Sequence, residues 1–212
     1  MRSPRKSSYV TVEEYLKAEE CASVKHEYVD GQVYAMTGVV RRHRAITRNI
    51  FRELDSFIKG SGCEVAVGDA QVHIEETNSF YYPDIVVSCG AIDDDAIVVS
   101  DAVLVVEVLS RSTASIDKRE KVFAYRKVPT IVEYLIVHQK TKHLELRRKN
   151  SDGQWDVFDI IHDGVELESM PCGKIFLSLD LIYEGVACGE SSGGMVREDS
   201  SNYSTDDADE DW

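Results

Sequence analysis

Residues 103–109, Val103-Leu104-Val105-Val106-Glu107-Val108-Leu109, are apolar except for Glu107. A run without polar alternation predicts a strand buried on both faces of a sheet. Residues 82–88 and 131–137 read the same way, and residues 64–67 and 71–75 predict two shorter strands. Residues 40–59 switch to a helical period. Ile46, Ile50, Leu54, Phe57 and Ile58 line one face of that helix, and Gly60-Ser61-Gly62 ends it. Thr11 followed by Glu14 is a capping-box pattern that starts a short helix within residues 10–20. Asp30-Gly31 between two β-prone runs predicts a hairpin over residues 25–37. A second hairpin joins residues 144–148 to 155–160 about the turn at 150–153. A helix from residue 114 or 115 to 127 stops before Pro129, and residues 174–185 close the folded part. Helix, strands, helix and strand in this order predict an α/β domain over residues 10–186, a sheet layered with helices.

Charge refines the boundaries. The net charge of −14 is unevenly spread: residues 189–212 hold eight acids against Arg197, which is half of it. This tail is rich in Ser, Asp, Glu and Gly without periodicity and is expected to be disordered, as are residues 1–9. The remaining charge argues only weakly against a nucleic-acid partner, so placement matters more. Arg41, Arg44, Arg48 and Arg52 form a stripe on the polar face of the 40–59 helix. Such a stripe is either a phosphate-facing ridge or a solvated outer face. His43, on the apolar side, is either a hydrogen-bonded core residue or part of a site rim. The five cysteines are scattered without a CxxC pair, which predicts reduced thiols and a cytoplasmic protein. No apolar run is long enough to span a membrane, and no signal-peptide segment follows the basic residues 1–9.

The chemistry centres on Glu107. Burying a carboxylate unpaired costs several kcal/mol or keeps it protonated. Asp84 follows Pro83 at the start of an earlier strand. If the two strands are neighbours, the carboxylates meet at about 4 Å and repel by roughly 4 kcal/mol at an effective dielectric of 20. A proton or a cation must then sit between them, and a hard divalent ion with oxygen ligands meets that need. Asp117, Lys121 and Tyr125 share one face of the next helix at i, i+4 and i+8, which carries Lys121 back toward the acids. Two carboxylates, a metal and a lysine make a site able to activate water and neutralise a phosphodiester in transit. The plainer readings are that Asp117 and Lys121 form a surface pair, Asp84 caps a loop, and Glu107 pairs with Lys25 or an arginine.

Taken together, several segments resemble a known family. They are Thr11-Val12-Glu13-Glu14-Tyr15-Leu16, His26-Glu27-Tyr28-Val29-Asp30-Gly31, His43 and Tyr82-Pro83-Asp84-Ile85-Val86-Val87. Val106-Glu107-Val108-Leu109-Ser110, Thr113, Asp117, Lys121, Tyr125, Glu133-Tyr134-Leu135-Ile136-Val137 and Leu179-Asp180-Leu181-Ile182-Tyr183 continue the series. In order and spacing they resemble the Uma-type restriction endonuclease group of the PD-(D/E)XK nuclease superfamily. The resemblance implies a restriction endonuclease-like mixed β-sheet core flanked by helices, with an N-terminal helix and hairpin. It implies hydrolysis of DNA by a magnesium- or manganese-activated water. Asp84 and Glu107 would be metal ligands, helped by the Val108 carbonyl. The superfamily lysine is expected two residues after Glu107, where Leu109 stands. In the resembling group it is displaced onto the following helix, as Lys121. Glu27 looks like the group's additional acid, and otherwise pairs with Lys121 or an arginine. The alternatives are a nuclease-like binding module without catalysis and a homo-oligomeric scaffold, a homodimer for example, using the 144–160 hairpin as its contact.

Overall fold

A computed structural model describes residues 9–90, 96–99, 101–109 and 120–189. The buried run identified first is the centre of the fold. It is β7, Ala102–Leu109, in a six-stranded sheet with β3 (Glu64–Ala66), β6 (Ile85–Ser88), β8 (Glu133–His138), β9 (Leu144–Lys149) and β10 (Trp155–Ile160). The strand order is β10-β9-β8-β7-β6-β3. All neighbours are antiparallel except β7 and β8. That parallel pair requires a crossover, which runs through residues 110–132 and contains α3, Val122–Tyr125.

Each face of the sheet is covered by a different layer. The long amphipathic helix α2, Arg41–Ile58, lays Ile46, Ile50, Leu54 and Ile58 on Ile85, Val87, Leu104, Val106 and Val108. The same layer takes in the ribbon of β11 (Gly164–Leu167) and β12 (Ile175–Ser178) and the short helix α4, Leu179–Ile182. On the other face, Val86, Val105, Leu109, Tyr134 and Ile136 pack with Val122, Ala124 and Tyr125 of α3 and with Tyr81. This two-sided burial is why β7 shows no polar alternation.

A smaller sheet of order β2-β1-β5-β4 stands beside the larger one. Its strands are β1 (His26–Val29), β2 (Gln32–Ala35), β4 (Val72–Ile74) and β5 (Ser79–Tyr81). The β1–β2 turn places Asp30 at φ 41° and Gly31 at φ 87°, the left-handed pair that an Asp-Gly hairpin turn needs. Helix α1, Val12–Glu19, carries the expected capping box: Glu14 N–H donates to Thr11 Oγ1 at 3.2 Å, and Thr11 N–H donates to Glu14 Oε2 at 2.9 Å. Thr11→Ala is expected to cost about 1 kcal/mol in urea unfolding. The Thr11 hydrogen bonds also hold the Glu14 carboxyl below its usual range. That contribution stands at neutral pH and fades as falling pH protonates Glu14.

Some expectations shift. The strand expected over residues 82–88 begins at Ile85, because Pro83 has no N–H and Asp84 turns its side chain to other partners. Strands β5, β11 and β12 were not anticipated; each has only three or four residues. The expectation of reduced thiols is overturned at one pair: Cys63 and Cys89 are joined by a disulfide. They are the next pair outward from Glu64 and Ser88 in the β3–β6 register. Their proximity comes from strand pairing across 26 residues, which linear spacing does not reveal. Cys21, Cys172 and Cys188 remain free thiols. Residues 114–119 of the expected 114–127 helix, including Asp117, and the acidic tail beyond residue 189 lie outside the described residues. Among those residues no helix is long and apolar enough to cross a membrane.

Candidate active site

Ile85 pairs with Val106 across β6 and β7, so the next step of the register brings Asp84 beside Glu107. The two acids turn to different partners. Asp84 Oδ2 accepts the backbone N–H of Val108 at 2.7 Å and lies 3.1 Å from His43 Nε2. Glu107 projects to the α3 side, where its Oε1 lies 3.0 Å from Lys121 Nζ and 3.4 Å from the Tyr125 hydroxyl. Glu107 and Lys121 are 4% and 3% exposed, so this is a desolvated pair.

Glu27 completes the group. It projects from β1, and its Oε1 lies 2.8 Å from Lys121 Nζ. One ammonium therefore bridges acids from two different sheets. The hairpin is held in place through its first residue: the Tyr15 hydroxyl of α1 donates to the His26 carbonyl at 2.6 Å. Lys121 also sits 5.4 Å from the centre of the Tyr81 ring. The Tyr81 hydroxyl donates to Glu120 at 3.3 Å. Burial pushes the Tyr81 phenol well above its usual range, so it stays protonated. Glu120 and Lys121 lie in a wide π-type turn before α3, which aims Lys121 back over the end of β7.

The residues present fit a hard divalent cation by two observations. The donor set is all oxygen: the Asp84, Glu107 and Glu27 carboxylates and the Val108 carbonyl. In an extended strand the N–H and C=O of one residue face the same neighbour. The Val108 N–H faces Asp84, so its carbonyl opens to that side too. Glu27 Oε1 is also buried and faces the Lys121 ammonium at 2.8 Å. The three acids are nonetheless not drawn into one tight cluster. Among the described residues, the three ligand-type side chains whose donor atoms all come within 4.8 Å are His138, His143 and Glu145.

The open readings resolve in part. Glu107 pairs with Lys121, not Lys25, which turns to Asp69. His43 is both buried and part of the site, since it faces Asp84 while Thr47 Oγ1 lies 3.4 Å from its other ring nitrogen. Its place at the start of α2 on the buried side, and its place among the segments of the resemblance, were the sequence signals for this. Arg41, Arg44, Arg48 and Arg52 are all exposed on the outer face of α2. Arg52 is already engaged with Glu53 at 3.1 Å and Glu184 at 3.4 Å.

A mixed sheet flanked by helices, with acids at the ends of two central strands and a lysine returning from the crossover, defines a nuclease-like fold. A crystal structure of a putative nuclease from Anabaena variabilis shares it, with a TM-score of 0.65 over 82% of this chain and 97% of that one at 15% identity. The chain belongs to the Uma2 family, described as putative restriction endonuclease, whose pattern matches residues 12–180. Two uncharacterised proteins of Synechocystis are similar to it. Slr1290 is 34% identical over 177 residues, covering 82% of this chain and 92% of its own. Sll1609 is 33% identical over 162 residues, covering 75% and 92%.

Proposed function

We propose that the chain is a magnesium-dependent endonuclease that hydrolyses phosphodiester bonds of DNA. The observation that carries this reading is the Glu27–Lys121–Glu107 bridge set beside Asp84 at the ends of β6 and β7. The family description supplies the substrate class. Asp84 and Glu107 would hold the metal with the Val108 carbonyl, and Glu27 would add a further oxygen. Bound there, magnesium supplies positive charge that acidifies water and neutralises a phosphoryl oxygen. Lys121 orients the attacking water and steadies charge developing on phosphorus, as a fixed ammonium in a desolvated site does well. His43 holds the Asp84 carboxylate in one orientation from the α2 side. Tyr125 does the same for Glu107.

The experiment is cleavage of plasmid DNA by the full chain with and without magnesium or manganese. Asp84→Ala and Lys121→Ala are each expected to abolish metal-dependent cleavage, with circular dichroism showing the fold retained. Equal cleavage by wild type and both variants removes the proposal. A second reading, a nuclease-like binding module without catalysis, is favoured by the depth at which Lys121 is locked between two acids. Under that reading a magnesium or manganese titration of the wild type shows no affinity that Asp84→Ala removes.

A further inference from the structure

We infer that the chain carries a second metal site, for a divalent transition-metal ion of the zinc type, built by His138, His143 and Glu145. Each offers a donor atom within 4.8 Å of the others. His138 ends β8, and His143 stands across from it just before β9, with the His138 N–H donating to the His143 carbonyl at 3.0 Å. Their rings stack with centres 4.1 Å apart. Glu145 is two residues further along β9, on the same face, and its Oε1 lies 3.1 Å from His138 Nε2. Ligands about 2.0–2.2 Å from a tetrahedral zinc stand roughly 3.3–3.6 Å apart, so this pair needs little adjustment. Two imidazoles and one carboxylate, with a remaining position open to water, form a borderline donor set that suits zinc better than magnesium.

The surroundings hold the donors as outer partners hold metal ligands. His143 Nε2 is hydrogen-bonded to the Asp159 carboxylate on β10, an arrangement that fixes a ligating ring. Arg147 approaches the second oxygen of Glu145 at 3.8 Å. The buried Tyr183 hydroxyl bonds the His138 carbonyl at 2.7 Å, the His143 carbonyl at 3.0 Å and the His143 N–H at 3.2 Å. The backbone at both histidines is thereby clamped before any ion arrives. The side chains of His138 and His143 are each 23% exposed, enough for an ion to enter. The site is separate from the Asp84–Glu107 group. Glu107 stands opposite Ile136, and Ile136 opposite Glu145, so two strand spacings, about 10 Å, divide the two acids on one sheet face.

The test is calorimetric titration of the untagged full chain with zinc chloride, with cobalt chloride as a visible-absorbing substitute. With excess magnesium present to occupy the oxygen-donor site at Asp84 and Glu107, one equivalent is expected to bind. His143→Ala and the near-isosteric Glu145→Gln should each weaken binding by more than about 100-fold, and Asp159→Asn by about 10–100-fold. Asp84→Asn should leave the zinc affinity unchanged. Thermal unfolding of the metal-free variants checks that each is folded, and Glu145→Gln decides if His143→Ala is not. Absence of a zinc equivalent overturns the proposal. So does affinity that survives Glu145→Gln, or affinity lost with Asp84→Asn instead.

Discussion

Lys121→Met is expected to abolish metal-dependent cleavage and to lower the unfolding free energy by about 3–5 kcal/mol, the cost of breaking a buried ion pair by removing one partner. Methionine keeps most of the volume of the lysine stem, so the loss is chiefly electrostatic. It leaves Glu107, 4% exposed, without its ammonium, and leaves Glu27 beside it without a shared cation. The Tyr125 hydroxyl at 3.4 Å is too distant a donor to replace that charge. Urea unfolding measures the effect, and a double-mutant cycle assigns it. Adding Glu107→Gln removes the stranded charge and should recover a large part of the stability without recovering cleavage. A loss below about 1 kcal/mol for Lys121→Met would mean that the bridge behaves as a solvated surface pair.

The recovery in the double variant separates two roles that one residue combines. Stability needs only that the charge on Glu107 be balanced or absent. Cleavage needs an ammonium and a carboxylate in register. A Lys121→Arg variant probes the same division, since a planar guanidinium keeps the charge but cannot take the compact position between Glu27 and Glu107. It should keep more of the stability than Lys121→Met while still losing cleavage.

Much of this site was legible before the structure because it breaks local rules. A glutamate within an unalternating apolar strand has few stable explanations, and a lysine on the following helix was within reach of it. The capping box at Thr11, the Asp30-Gly31 turn and the apolar face of α2 were legible for the converse reason: each is a local rule obeyed over consecutive residues. What stayed hidden depends on contacts between residues far apart in the chain. The Cys63–Cys89 bond and the contact of His43 with Asp84 both require a sheet register or helix docking that spacing does not encode. The cluster of His138, His143 and Glu145 is closer in sequence. Its members lie at the facing ends of two expected strands, 131–137 and 144–148, and only the β8–β9 pairing places their donors on one face.

Glu133→Ala is expected to cost about 3–5 kcal/mol as well, yet to leave cleavage per folded molecule unchanged. Glu133 is 1% exposed at the start of β8, and its carboxylate ties three segments together. Arg148 Nε of β9 donates to it at 2.7 Å. Beyond β11, the Glu168 N–H donates at 3.1 Å and the Ser169 N–H at 2.9 Å. Truncation strands two backbone donors in a dry place and takes one of its acceptors from Arg148, which keeps the Glu168 carboxylate at 3.3 Å and the Glu166 carbonyl; leaving buried donors unpaired is the costly direction in which to break such a group. Glu133→Gln should cost less, because the amide oxygen still accepts while the NH2 opposes one backbone donor. Glu133 stands opposite Leu104, whereas Glu107 stands opposite Ile136, so three residues, about 10 Å of strand, separate this acid from the site. Two buried glutamates on adjacent strands are thus expected to differ in kind. Equilibrium unfolding should register both, and the cleavage assay only Glu107. Cleavage that falls in proportion for Glu133→Ala, measured well below its unfolding midpoint, would show instead that the far end of β8 is coupled to the chemistry.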